Sequence, residues 1–68
     1  MVEPGVELRH PVMVDRGARV RAGARLGPYV YVGAGAEVGS GARVERSVVY
    51  PGSRVAAGAV VRDEIVVG

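Results

Sequence analysis

The sequence predicts an all-β chain wound as a triangular parallel β-helix of somewhat under four coils, with residues 1–68 as one domain. Three observations lead there. An aliphatic residue returns at every sixth position: Val2, Leu8, Val14, Val20, Leu26, Val32, Val38 and Val44. Two positions ahead of these runs a second series of small or branched residues: Val6, Val12, Ala18, Ala24, Val30, Ala36 and Ala42. Glycine usually holds the third place after the aliphatic residue, at Gly5, Gly17, Gly23, Gly35 and Gly41, with Pro11 and Tyr29 as the exceptions. A fixed repeat of this kind is the signature of a solenoid, and the density of Gly and Pro rules out long helices.

Each six-residue repeat supplies one side of a triangle. Alternation turns the small and aliphatic members inward. The corner residues follow, where glycine accepts positive φ and Pro4, Pro28 and Pro51 help to start turns. Three sides make a coil of about eighteen residues, and successive coils stack at roughly 4.8 Å, the spacing of paired strands. The first coil passes through Val2, Leu8 and Val14, and the second through Val20, Leu26 and Val32. The third starts at Val38 and Val44 and then loses step. An unchanged count puts Tyr50, Ala56, Arg62 and Gly68 inside, and an unpaired arginine in a narrow core is costly. Dropping one residue between Val44 and Val49 restores Val49, Val55, Val61 and Val67 as the aliphatic series. It also restores Ser47, Ser53, Ala59 and Ile65 as the small series, with Gly52 and Gly58 at corners. The repeat Val44-Glu45-Arg46-Ser47-Val48 is therefore one corner residue short. Stacked this way, like sits over like, as in Leu8-Leu26-Val44-Val61 and Val14-Val32-Val49-Val67. An antiparallel barrel would not demand so regular a count.

The outward residues differ from side to side. One side shows Glu7, Arg25, Arg43 and Val60 beside Arg9, Gly27, Glu45 and Arg62; another shows Arg19, Glu37 and Arg54 beside Arg21, Gly39 and Ala56. Glu7 over Arg25, and Glu37 between Arg19 and Arg54, are cross-strand neighbours of opposite charge. The remaining side carries Met13, Tyr31, Val48 and Val66 in one column, beside Asp15, Gly33, Tyr50 and Gly68. Contiguous exposed apolar surface marks contact with another protein surface, so Met13, Tyr31, Val48, Tyr50 and Val66 are the expected interface residues.

Composition narrows the partners. The nine basic residues are all Arg, scattered among seven carboxylates for a net charge of +2, which is not the one-signed cluster that nucleic acid requires. No cysteine is available for disulfides or thiolate metal sites. No apolar run is long enough for a bilayer-spanning helix, and no basic-apolar leader opens the chain, so the expectation is a cytoplasmic protein without membrane partners. A core of Val and Ala in so short a chain comes close to balancing its ordering entropy, and oligomerisation is one remedy. A closed trimer around the apolar sides is expected. The pattern opens in phase at Val2 and stops in phase at Val66-Val67-Gly68, so the domain is expected to be part of a longer chain or to pair its ends with another copy.

Val32-Gly33-Ala34-Gly35-Ala36-Glu37 and Val38-Gly39-Ser40-Gly41-Ala42-Arg43 resemble the hexapeptide repeat of left-handed parallel β-helix proteins. The left hand, against the usual right-handed crossover rule, is implied by that resemblance alone. Acyltransferases of this type use a histidine as general base. The one histidine, His10, sits in a His10-Pro11 corner and reads as a solvated turn residue, and no loop insertion interrupts the repeats. A zinc site of three histidines is likewise not supplied by a single histidine. Ser47 and Ser53 fall in inward slots as small core residues, and Asp15, Asp63 and Glu64 lie apart. No catalytic, metal or cofactor residue is expected.

A narrower resemblance lies in Leu26-Gly27-Pro28-Tyr29-Val30-Tyr31-Val32-Gly33, in Arg46-Ser47-Val48-Val49-Tyr50-Pro51-Gly52, and in Asp63-Glu64-Ile65-Val66-Val67. These stretches are similar to the C-terminal β-helix of sugar-phosphate nucleotidyltransferases of the mannose-1-phosphate guanylyltransferase and glucose-1-phosphate thymidylyltransferase type. The resemblance implies a non-catalytic structural and oligomerisation module, with catalysis in an N-terminal α/β domain that this sequence does not contain. The alternatives are a small or truncated acyltransferase using acetyl-CoA and a free-standing assembly scaffold.

Overall fold

A computed structural model describes all 68 residues and contains strands and turns but no helix. Eleven short strands follow one another: β1 (Glu7–Leu8), β2 (Val12–Val14), β3 (Arg19–Val20), β4 (Arg25–Leu26), β5 (Val30–Val32), β6 (Glu37–Val38), β7 (Arg43–Glu45), β8 (Ser47–Val49), β9 (Arg54–Val55), β10 (Val60–Arg62) and β11 (Ile65–Val66). Every pairing is parallel. Three walls result, ordered β1-β4-β7-β10, β2-β5-β8-β11 and β3-β6-β9, and the isolated bridge from Val2 to Val20 adds a rung to the third. The fold is a β-solenoid of about four turns. Its strands hold two or three residues each, because the corners take the rest of each repeat.

The register confirms the first two aliphatic columns along their whole length. Leu8 faces Leu26, Leu26 faces Val44 and Val44 faces Val61; Val2, Val20, Val38 and Val55 stack likewise. Valine and leucine fill the walls, and Ala18, Ala24, Ala36 and Ala42 fill the positions just after corners; all four alanines are fully enclosed. Thirteen hydrophobic residues form one continuous core. Ser47 and Ser53 are buried as expected, and their hydroxyls are satisfied. Ser47 Oγ donates to the Glu45 carbonyl at 2.7 Å and accepts from Glu64 N at 3.1 Å, while Ser53 Oγ accepts from Gly68 N at 3.0 Å. No enclosed side-chain polar atom lacks a partner, as a core this narrow requires.

The last rung departs from the expected register. Val66, not Val67, stands over Val49, and Ile65, not Val66, stands over Val48. The cause is a second shortened corner. Arg46 turns the third coil with φ +44°, and Asp63 turns the fourth with φ +53°. Val61 to Val66 is therefore five steps, as Val44 to Val49 is. Val66 packs partly buried against the core, Ile65 points out, and Val67 is exposed.

Candidate functional site: one apolar wall and its charged corner

The outer face of the second wall is built by strand alternation. Val12, Val14, Val30, Val32, Ser47 and Val49 turn inward, so Met13, Tyr31 and Val48 turn outward in register. Ile65 completes this column, in place of the expected Val66. Met13 and Ile65 are 62% and 65% exposed, while Tyr31 and Val48 between them are half-buried. Tyr50 lies beside the column, 50% exposed. On the other flank, Tyr29 projects from its corner with φ +62°. A shallow open groove of about 610 Å³ runs along this flank, with Pro11, Met13, Tyr29, Tyr31 and Val48 in its lining and His10 at its edge.

Polar groups fix the face at two points. Tyr31 Oη donates to Asp15 Oδ2 at 2.6 Å, and Asp15 Oδ1 accepts from Arg16 N at 2.7 Å. The Tyr31 bond, then the backbone bond, holds the Asp15 carboxyl below its ordinary range, and the Asp15 carboxylate in turn raises the Tyr31 phenol. At the corner, Arg46 grips Asp63 through Nε–Oδ1 at 2.7 Å and Nη2–Oδ2 at 3.3 Å. That two-pronged contact lowers the Asp63 carboxyl and raises the Arg46 guanidinium. A second groove, about 360 Å³, opens between this pair and Tyr29, Val48 and Ile65.

The other walls carry charge. On the third wall, Arg21 binds both Glu3 and Glu37 at 3.0 Å. Glu37 thus takes its ion pair from Arg21, not from Arg19 or Arg54 as the stacking suggested. The latter two are its register neighbours, but the Arg21 side chain crosses diagonally from the adjoining column. Glu7 meets Arg25 at 3.8 Å as expected.

Met13, Tyr31, Val48 and Tyr50 are thus brought together, and Val66 is not. Sequence reasoning missed Ile65, Tyr29 and the Arg46–Asp63 pair. The signal was present: Glu64-Ile65-Val66 repeats the pattern of Ser47-Val48-Val49, and Arg62-Asp63 inverts the charges of Glu45-Arg46 beneath it. His10 is exposed at the groove edge, the serine hydroxyls are enclosed and occupied, and no three His, Cys, Asp or Glu side chains converge as metal ligands. No helix is long and apolar enough to cross a membrane. In comparison with known proteins, residues 8–68 match the family model described as the GMPPB C-terminal domain, a nucleotidyltransferase C-terminal domain. No curated protein and no solved structure matches the chain.

Proposed function

The chain belongs to the GMPPB C-terminal domain family, and on that premise we propose that it is a non-catalytic assembly module of a sugar-1-phosphate nucleotidyltransferase. In this reading the chain is the β-helix of a longer cytoplasmic protein whose catalytic domain lies N-terminal to it. Its work is to hold copies together through the second wall. The observation that carries this is the outward column Met13-Tyr31-Val48-Ile65, an apolar stripe across all four rungs of a wall, while the other two walls are charged. A stable interface takes about 800 Å² from each partner, and the chain's total surface is 4060 Å². That need is about a fifth of the chain's surface. The pairing expected is a homo-trimer.

Sedimentation analysis of the chain at micromolar concentration tests this. The native chain is expected as an oligomer, and Tyr31→Asp/Val48→Asp as a monomer with an unchanged β-type circular dichroism spectrum. A native chain that sediments only as a monomer at tens of micromolar, an ordinary concentration for a stable contact of this size, refutes the reading.

A further inference from the structure

The first wall holds an arginine-lined hollow that the assembly reading does not use. On its outer face Arg25 stands directly beside Arg43. The neighbouring column runs Arg9, Gly27, Glu45, placed by Arg9 N donating to Leu26 O and Gly27 N donating to Val44 O, both at 2.8 Å. Gly27 has no side chain to fill its place in that column. Nor can it acquire one cheaply, since a β carbon there would lie 1.9 Å from the Arg9 carbonyl oxygen, on a backbone with φ +106°. The result is a pocket of about 200 Å³ framed by Arg9, Arg25, Arg43 and Glu45.

Its charges are unbalanced. Arg25 has only the long contact to Glu7 at 3.8 Å, and neither Arg9 nor Arg43 has a carboxylate partner. Glu45, the one acid on the rim, is engaged at one oxygen by Arg46 at 3.5 Å and at the other by Arg62 at 3.9 Å. Like charges set side by side on neighbouring strands destabilise a sheet, and Arg25 beside Arg43 is such a pair. Guanidinium forks match the oxygens of a phosphoryl group, singly or in pairs. We infer that this hollow binds the phosphoryl group of a small phosphate monoester or free phosphate, with the three arginines as donors and the ester group directed to solvent. The site lies on a different wall from the apolar column, so it stands or falls independently of the assembly reading.

The test is a titration of the folded chain in low-salt buffer with inorganic phosphate, with glycerol 3-phosphate, and with chloride at matched ionic strength, followed by NMR shifts of the arginine Nε–H groups. Saturable shifts confined to Arg9, Arg25 and Arg43 are expected for the two phosphates and not for chloride. Equal affinity for the two is expected, since the ester group stays in solvent and the arginines read the phosphoryl group alone, whereas saturable binding of free phosphate without the ester identifies the ligand as the free ion. Arg25→Gln/Arg43→Gln is expected to weaken binding by about tenfold or more, the scale of lost charge-assisted bonds. Arg19→Gln/Arg54→Gln removes the same charge from the third wall and is expected to change affinity by less than about twofold, as a screened distant charge should. Because both pairs are exposed, circular dichroism should show all variants folded. Glu45→Gln, which removes the rim acid, is expected to tighten binding. Shifts that follow ionic strength with chloride as well as phosphate, or equal losses in the two arginine double variants, overturn the site.

Discussion

Leu26 is the largest fully enclosed side chain, stacked between Leu8 and Val44 on the axis of the prism. Its truncation leaves a cavity that flat neighbouring rungs cannot collapse into. Leu26→Ala is expected to cost about 2–5 kcal/mol, read as a fall in the urea midpoint, and in a domain this small that cost removes most of the folded population. Gly39 acts by the opposite route. A β carbon there would sit 2.4 Å from Ala57 N on the next coil, so Gly39→Ala must push two rungs apart. It is expected to destabilise by about 1–3 kcal/mol as an overpacking change, visible as a lower melting temperature. The charged residues set the pH limits. Glu3 and Glu37 are lowered from 4.5 chiefly by hydrogen bonds from Arg21, Asp15 is lowered from 3.8 by Tyr31, and Asp63 from 3.8 by Arg46. A lowered carboxyl binds its proton more weakly when folded. Its contribution is therefore whole above the ordinary value and is lost as pH falls through the folded one. The melting temperature should be level above pH 4.5 and fall below pH 3.8, less steeply in high salt because the groups are exposed. Tyr31 is raised from 10.0 by Asp15, so its share is whole below pH 10 and lost above it. Asp15→Asn should abolish that alkaline loss.

At the level of the strand, β11 separates two outcomes that a one-residue slip would exchange. Ile65 points out over Val48, and Val66 points in over Val49. Ile65→Asp should leave the melting temperature nearly unchanged and weaken self-association. Val66→Asp should cost about 1–2 kcal/mol of stability, an ordinary destabilising range, and leave the apolar face intact. Thermal melts of the two variants beside sedimentation decide between the registers. The same strand shows where the sequence ceases to be legible. Columns through Leu26, Val38 and Val44 were plain because arginine, glutamate and glycine separate the aliphatic residues, so only one phase buries them. In Ile65-Val66-Val67 every phase buries an aliphatic side chain, and periodicity has nothing to choose between. The deciding contact is Arg46 with Asp63, a pairing across two coils. It becomes visible only after the short corner at Arg46 is taken as a stacked feature. The ion-pair partner of Glu37 was missed for a related reason. Stacking order gives Glu37 its neighbours Arg19 and Arg54, but a long side chain reaches the diagonal, which sequence spacing does not weigh.

Taken whole, the molecule is a prism whose walls do different things. Stability comes from rungs that each touch only the next, as in other solenoids, with a continuous aliphatic core from Ala18 to Val61 against which Val6, Val12, Val14 and Val66 pack. Surface chemistry is divided by wall: apolar on the second, acid and base interlocked around Arg21 on the third, and excess cation on the first. The apolar face was legible in Met13, Tyr31 and Val48 because strand alternation alone places them. The arginine hollow was not, because it arises from an absent side chain at Gly27 and not from a motif. If assembly runs through the second wall, raising salt should leave the oligomer intact or strengthen it, since burial of Tyr31 and Val48 gains from salting-out. Dissociation at high salt in sedimentation would point instead to the charged walls.

The corner between the first and second walls has one residue more at Tyr29 than at Arg46, yet β5 and β8 still pair Val30 with Ser47 and Val32 with Val49. Length at that vertex is thus decoupled from the phase of the strands on either side. A foreign peptide spliced between Arg46 and Ser47 should bulge from the edge and spare the ladder, whereas one extra residue inside β8 would turn it inside out. That vertex is the place where the molecule can accept cargo.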